Sequence, residues 1–207
     1  MNKAPNIELH QGDLPSGLTF SGSVAIDSEA MGLNPHRDRL CVVQLSGGDG
    51  NAHLVQFAPG EYDAPNLKAL FADTSLTKIF HYARFDVAII EAYLGVTCEP
   101  VYCTKIASRL ARTYTDKHGL KHLCKEILDV DLSKAQQSSD WGAKELSADQ
   151  LAYAASDVLY LHQLKARLDE MLEREGRTEL AAQCFDFIST RCRLDLEGWP
   201  DFDIFSH

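Results

Sequence analysis

The stretch Ser23–Met31, SVAIDSEAM, begins as an apolar run typical of a buried β-strand and then carries two acidic residues, Asp27 and Glu29, one position apart. Because residues i and i+2 of a strand point to the same face, the two carboxylates are expected side by side. Adjacent buried carboxylates repel each other and lose hydration unless a cation lies between them. The stretch therefore predicts a strand that ends at a cation-binding site.

Composition places this strand in an ordinary globular protein. The chain has 207 residues, of which 45% are hydrophobic and 24% are charged, and this predicts a single soluble domain with its own core. Six cysteines lie at irregular intervals without a CxxC pair, so we interpret them as reduced thiols of a cytoplasmic protein. The N-terminal segment lacks an apolar h-region and no apolar run is long enough to cross a bilayer, so neither a signal peptide nor a membrane partner is expected.

The charge balance limits the possible partners. Twenty basic residues against thirty acidic residues give a formal net charge of −10. This net charge disfavours a protein that binds long nucleic acid by neutralising its phosphates. A short nucleotide substrate stays compatible with the charge, particularly where bound divalent cations supply the positive charge.

Hydrophobic patterning predicts an α/β chain whose first strands are antiparallel. Strands are predicted at 23–28, 40–45, 52–57, 76–80 and 101–102, and helices at 66–72, 84–93, 104–113, 120–128, from a capping box at 147–150 through about 172, and at 177–190. The glycine-rich segment 46–51 lacks the GxGxxG spacing and is interpreted as a hairpin turn. We predict one domain over 1–207, with a core of about 20–170 and a C-terminal helix and tail of about 173–207.

Two more acidic residues complete a set of oxygen ligands. Asp86 falls in the first turn of a predicted helix, where an acid alone often only complements the helix dipole. Asp157 follows Tyr153 by four residues, so both side chains project from one helix face that apolar neighbours indicate is partly buried. With Asp27 and Glu29, these acids would suit two Mg²⁺ or Mn²⁺ ions that hold the attacking water and the leaving oxygen of a phosphodiester, with the tyrosine hydroxyl beside the water.

The ordered set Asp27-x-Glu29, His81-x3-Phe85-Asp86 and Tyr153-x3-Asp157 resembles the three exonuclease motifs of the DEDD superfamily, tyrosine subclass (DEDDy). Segments 40–45 and 139–161 are similar to RNase D, and the resemblance covers about residues 20–170. It implies an RNase H-like exonuclease fold, α/β, with a mixed five-stranded sheet flanked by helices. It also implies two-metal-ion 3′–5′ hydrolysis to nucleoside 5′-monophosphates, with the four acids as metal ligands and the tyrosine positioning the nucleophile.

The short length of the chain favours resemblance to one group within this superfamily. RNase D carries helical domains after its nuclease domain, whereas this chain ends fifty residues beyond Asp157. Together with EAMGLNPHRDRLCVVQLS at 29–46, this is most similar to the NrnC (nanoRNase C) group of bacterial oligoribonucleases. That resemblance implies RNA substrates of two to a few nucleotides and a ring-like homo-oligomer. The acidic net charge agrees with such a substrate, since a dinucleotide has too few phosphates for a basic surface to gain much binding affinity.

Residues near the motifs are candidate substrate contacts. The candidates are Met31, Gly32, Gln44, Leu45, His81, His118, Lys134, Gln137 and Trp141. Three of them have structural alternatives: His81 as a packed residue at a strand end, the helix start His118–Lys121 as a simple cap instead of a phosphate site, and Trp141 as a core residue.

The sequence leaves open two other functions and two interpretations of the C-terminal tail. The chain could be a general 3′–5′ exonuclease on longer RNA or DNA ends, or a non-catalytic nucleotide-binding module, which the complete set of acids disfavours. The sequence does not separate RNA from DNA, because 2′-OH recognition through the backbone leaves no side-chain pattern. The tail aromatics Trp199, Phe202 and Phe205 suggest an oligomer contact, with folding back onto the core as the alternative.

Overall fold

The computed structural model describes residues 5–133 and 135–207, which fold around one mixed sheet. Its strands are β1 (Asn6–Gln11), β2 (Ser23–Ala30), β3 (Leu40–Ser46), β4 (Asn51–Gln56), β5 (Thr77–Phe80) and β6 (Val101–Cys103). They lie in the order β1-β4-β3-β2-β5-β6. β3 is antiparallel to both of its neighbours, whereas the β1–β4, β2–β5 and β5–β6 pairs are parallel.

The sheet has six strands rather than the predicted five. The additional strand, β1, lies at the sheet edge and pairs along its whole length with β4. Four of its six residues are exposed, so the strand lacks the apolar run from which the other strands were predicted. The predicted α/β class is confirmed, and the predicted strand count is wrong.

Among the residues that the structure describes, seven helices cover the two faces of this sheet. They are α1 (Pro65–Ala72), α2 (Ala83–Leu94), α3 (Thr104–Ala111), α4 (Leu120–Leu128), α5 (Ala148–Leu159), α6 (Leu161–Arg174) and α7 (Thr178–Leu196). The long helix predicted from 147 to 172 is wrong, because the chain bends at Tyr160 between α5 and α6. The bend lets Ala155 and Val158 of α5 and Leu164 of α6 all reach the same core.

Side-chain alternation along β2 feeds two cores. Val24 and Ile26 pack on one face with α1, α2 and α7, whereas Ala25 packs on the other face with α3 to α6. A strand buried on both faces reads as an apolar run, which explains the sequence before Asp27. The six cysteines are free thiols, as predicted. In the part of the chain that the structure describes, no helix is both long and apolar enough to cross a membrane.

Candidate active site

Strand β2 ends in the centre of the sheet, and its last residues form the middle of the site. Asp27 and Glu29 point to the same face, towards α5. One carboxylate oxygen from each of these residues and one from Asp157 on α5 all lie within 4.8 Å of one another. The i, i+2 spacing on β2 and the position of Asp157 on its helix therefore bring three acids together, as the motifs predicted.

The fourth acid reaches the group from the other side of β2. Asp86 lies in the first turn of α2 and is 3% exposed. Ser28, between the two acids of β2, donates a hydrogen bond from its Oγ to Asp86 Oδ1 at 2.6 Å. Ser28 thus fixes α2 to the strand that carries the other two acids, a contact that the motif pattern did not indicate.

Burial and mutual repulsion make these carboxyls difficult to ionise. Burial raises the pKa of Asp27 to about 7. Burial and then repulsion from Asp27, Asp157 and Asp86 raise the pKa of Glu29 to about 10. Burial, followed by repulsion from Asp27, also raises the pKa of Asp86 and of Asp157. The protein alone therefore provides an environment that disfavours the negative charge it concentrates.

No compensating cation from the protein is found among the residues described. Within 5–133 and 135–207, none of these four carboxylates forms an ion pair with a lysine, arginine or histidine. The polar support is neutral: Gln44 Nε2 donates to Asp27 Oδ2 at 3.3 Å, and Ser28 supports Asp86. A donor set of buried carboxylate oxygens fits a hard divalent cation.

Tyr153 lies one turn before Asp157 on α5 and faces the same group of acids. Burial raises the pKa of its phenol above the usual range, and the negative charges of Asp157, Glu29 and Asp27 raise it further. Tyr153 is therefore a protonated phenol at neutral pH, and its oxygen lone pairs are free to accept a hydrogen bond.

Asp27, Glu29 and Asp157 line a cavity of about 710 Å³. Of the predicted substrate contacts, Met31, Gly32, His81, Gln137 and Trp141 lie in its wall. Glycine is required at position 32 for packing, since a Cβ there would collide with the carboxyl group of Asp38. A cavity of this size is within the few hundred to about 1,000 Å³ of typical small-ligand sites.

Three predicted contacts lie away from the cavity wall. Gln44 and Leu45 are fully buried in β3, where Gln44 supports Asp27 and Leu45 packs in the core. His118 is turned towards α3, where its Nδ1 lies 2.9 Å from Ser108 Oγ. The structure thus gives these residues supporting contacts, and their direct contact with substrate stays a prediction. Lys134, also a candidate, lies outside the described residues.

The cavity also contains two cationic residues outside the list of candidate contacts. They are Lys105 on α3 and Lys121 on α4, the latter two residues after the N-cap residue Gly119. Lys105 Nζ lies 4.1 Å from the ring centroid of Tyr82, a non-glycine residue with a φ of 76°. Lys121 was within reach of prediction because it belongs to the same short segment as His118. Lys105 carried no motif signal.

His81 follows β5 and has a defined tautomer. The Thr104 hydroxyl donates to the Phe80 carbonyl, so its oxygen accepts from His81 Nδ1 at 2.9 Å. Burial and then the nearby charge of Lys105 lower the pKa of His81 to about 3, so the ring is neutral. With its proton on Nδ1, the ring has an unprotonated Nε2, which is a hydrogen-bond acceptor.

Comparisons with known proteins agree with this geometry. Residues 13–173 match the family model described as 3′-5′ exonuclease. Ribonuclease D of Acidiphilium cryptum (strain JF-5) is 37% identical over 160 residues, which make up 77% of this chain and 40% of that protein. Brucella melitensis NrnC bound to pGG is 57% identical, with a TM-score of 0.95 over 98% of this chain and 99% of that chain.

A second structure, Brucella melitensis NrnC with bound Mg²⁺, is 57% identical and has a TM-score of 0.94 over 98% of this chain and 99% of that one. The chain thus spans about two fifths of the length of the curated relatives it matches, and nearly all of NrnC. The likeness confirms the predicted RNase H-like exonuclease fold.

Proposed function

Because the chain belongs to the 3′–5′ exonuclease family, and within it to the NrnC group, we propose that it is an exoribonuclease acting on the 3′ ends of very short RNAs. The products are nucleoside 5′-monophosphates. The observation that carries the proposal is the convergence of acids from β2, α2 and α5, three of them with carboxylate oxygens within 4.8 Å. Among the described residues no lysine, arginine or histidine forms an ion pair with this buried group of like charges, which suits divalent metal ions.

The proposed cofactors are two divalent cations, Mg²⁺ or Mn²⁺. The residues that would hold them are Asp27, Glu29, Asp86 and Asp157. When bound, such ions supply the positive charge that activates a water and stabilises the leaving oxygen of a phosphodiester. The relative with bound Mg²⁺ supports the type of metal, and the number of ions is part of the proposal.

Tyr153 positions the nucleophile in this proposal. Since the raised pKa of its phenol keeps the proton in place at neutral pH, it is poorly suited to act as a base. Its oxygen instead accepts a hydrogen bond from the attacking water, which directs a water lone pair towards the phosphorus. The ring lies against Trp141, with ring centroids 6.1 Å apart, so packing limits its motion.

The remaining cavity wall provides contacts for a nucleotide. Met31 is 52% exposed and offers apolar surface to a base, and Trp141 has an Nε1–H without a partner among the described residues. Lys105 and Lys121 supply positive charge for phosphates beyond the scissile one. His81 Nε2, an acceptor, suits a ribose hydroxyl, which would favour RNA over DNA.

Short RNA is favoured over a longer strand by two observations. The chain has a net charge of −10, which penalises extended contact with a polyanion. Its relative NrnC was solved with pGG, a short RNA. Exonuclease action on longer RNA or DNA ends, and nucleotide binding without catalysis, are the competing outcomes.

Hydrolysis of 5′-labelled RNAs of two, five and twenty nucleotides, with matched DNAs, tests the proposal. Each reaction is run with Mg²⁺, with Mn²⁺ or with EDTA. Metal-dependent cleavage that is fastest on the RNA dinucleotide is the expected result. Comparable or faster trimming of the twenty-mer would replace the proposal by a general exonuclease, and metal binding without hydrolysis of any substrate would favour the binding module.

Homo-oligomer formation is the second part of the proposal, and the C-terminal tail is its candidate contact. Trp199, Phe202 and Phe205 are all exposed, at 44%, 59% and 76%, which disfavours the alternative of a tail folded into the core. Light scattering of the purified protein should give a multiple of 23.0 kDa. A change of Phe202 and Phe205 to serine should lower that mass, and a wild-type mass of one chain would remove the oligomer from the account.

A further inference from the structure

A second group of metal-ligating side chains lies at the edge of the sheet. Glu8 and His10 are on β1 and His53 is on the neighbouring strand β4. Glu8 pairs directly with His53 in the parallel register, and His10 follows two residues later on the same side of β1. One ligand atom from each of the three residues lies within 4.8 Å of the other two.

This edge cluster is separate from the carboxylate site. His53 pairs with Leu45 on β3, whereas Asp27 pairs with Gln44. Since directly paired residues share a face and successive residues alternate, His53 and Asp27 lie on opposite faces of the sheet. Strand β3 also separates their strands, which adds two strand spacings, roughly 10 Å.

The distances within the cluster suit one shared cation. His10 Nε2 lies 3.2 Å from His53 Nδ1, and Glu8 Oε2 lies 3.7 Å from the same His53 nitrogen. Two imidazole nitrogens bound tetrahedrally to one zinc ion at about 2.0–2.1 Å stand about 3.3–3.4 Å apart. The observed separation is therefore close to that of a ligand pair, and modest side-chain rotation would bring both lone pairs onto one ion.

The surroundings hold the three side chains in place. Asn6 Nδ2 donates to Glu8 Oε1 at 2.8 Å, which leaves Oε2 for a cation. His53 is buried, and the Phe20 ring lies edge-on to it with centroids 6.1 Å apart. Burial and then the neighbouring His53 lower the pKa of His10, so its ring is in the neutral form that metals bind.

We propose that Glu8, His10 and His53 bind one transition-metal cation of the Zn²⁺ type, which ties the edge strand β1 to β4. Two imidazoles and one carboxylate favour such an ion, whereas the oxygen-only catalytic group favours Mg²⁺ or Mn²⁺. Without metal, the same residues form a hydrogen-bonded histidine pair beside a carboxylate. Titration of the protein with Zn²⁺ distinguishes a metal site from a histidine pair that binds no metal.

The test is calorimetric titration of the chelator-treated full chain with Zn²⁺ at pH 7.5 in excess Mg²⁺. The wild type should bind one equivalent of Zn²⁺ at this cluster. Asp27→Asn, which removes a ligand of the carboxylate site, should still bind that equivalent. His10→Gln and His53→Gln should each weaken it at least about tenfold, the lower end of losses seen even for residues that only support a ligand. His36→Gln, at an exposed histidine outside the cluster, is the matched control and should bind as the wild type does.

Two further readouts keep the test decisive. Zn²⁺ should raise the melting temperature of the wild type and of His36→Gln by mass action, and should raise it less in the cluster variants. If His53→Gln does not fold, the exposed Glu8→Gln takes its place with the same expected loss. Zn²⁺ binding that disappears in Asp27→Asn, or that is unchanged in both His10→Gln and Glu8→Gln, would overturn the proposal.

Discussion

Replacing Asp27 by asparagine should make the metal-free protein more stable at neutral and alkaline pH while removing its response to Mg²⁺. Burial raises the pKa of Asp27 from 3.8 to about 7. At 1.36 kcal/mol per pKa unit, ionising this carboxyl in the folded chain costs roughly 4 kcal/mol. Asparagine has almost the same shape and no charge, and its amide oxygen can still accept from Gln44 Nε2, so the variant avoids this cost.

The sign of the effect fixes its pH dependence. A carboxyl whose pKa rises on folding binds its proton more tightly in the folded chain than in the unfolded chain. Its stabilising contribution is complete below about pH 4 and is lost as the pH rises to about 7. The gain from Asp27→Asn should therefore be small near pH 4 and reach at most about 4 kcal/mol above pH 7, or roughly 8–16 °C in melting temperature for a chain of this length.

Thermal and urea unfolding in EDTA between pH 4.5 and 8.5 measure this difference. Asp186→Asn, at an exposed carboxyl of α7, is the matched control and should change the unfolding free energy little. Added Mg²⁺ should raise the melting temperature of the wild type and of the control, but hardly that of Asp27→Asn. The reasoning is refuted if Asp27→Asn lowers the stability of the metal-free protein at pH 8, or if its gain is equal at pH 4.5 and pH 8.

Three further changes probe the supporting contacts. Tyr153→Phe should leave the Mg²⁺ titration unchanged and slow hydrolysis by about 10²-fold through loss of water positioning, and unchanged turnover would remove the tyrosine from the mechanism. Ser28→Ala removes the 2.6 Å hydrogen bond to Asp86 and should weaken Mg²⁺ binding by about 10–100-fold in a thermal-shift titration, whereas wild-type affinity would show that Asp86 needs no such support. Asp195→Ala frees Arg84, which also holds the tail through the Pro200 carbonyl, so limited proteolysis should cut the tail faster; an unchanged cleavage rate would contradict this anchoring.

The parts of the site that the sequence predicted are those governed by local periodicity. The i, i+2 spacing on a strand and the i, i+4 spacing on a helix decide which side chains share a face, so Asp27 could be paired with Glu29, and Tyr153 with Asp157, before any coordinates. Asp86 could be assigned only through the order of the motifs, because an acid in a first helical turn has a simpler explanation. The structure brings it to the group through Ser28.

The wrong predictions of secondary structure concern segments whose conformation is determined by tertiary packing. Strand β1 exposes most of its side chains and is held by backbone pairing with β4, so it carries little hydrophobic pattern. The segment between Ser147 and Arg174 contains no glycine or proline, and only packing against the shared core bends it at Tyr160. Gln44 stays a predicted substrate contact, and its strand pairing with Asp27 places its amide against that carboxylate.

The central claim is that the acids of β2, α2 and α5 bind two metal ions, and anomalous diffraction from crystals grown with Mn²⁺ tests it most directly. The account predicts two anomalous peaks about 3.5–4 Å apart, ligated by Asp27, Glu29, Asp86 and Asp157. A map without a peak among these four carboxylates, at a Mn²⁺ concentration that supports hydrolysis, would contradict it.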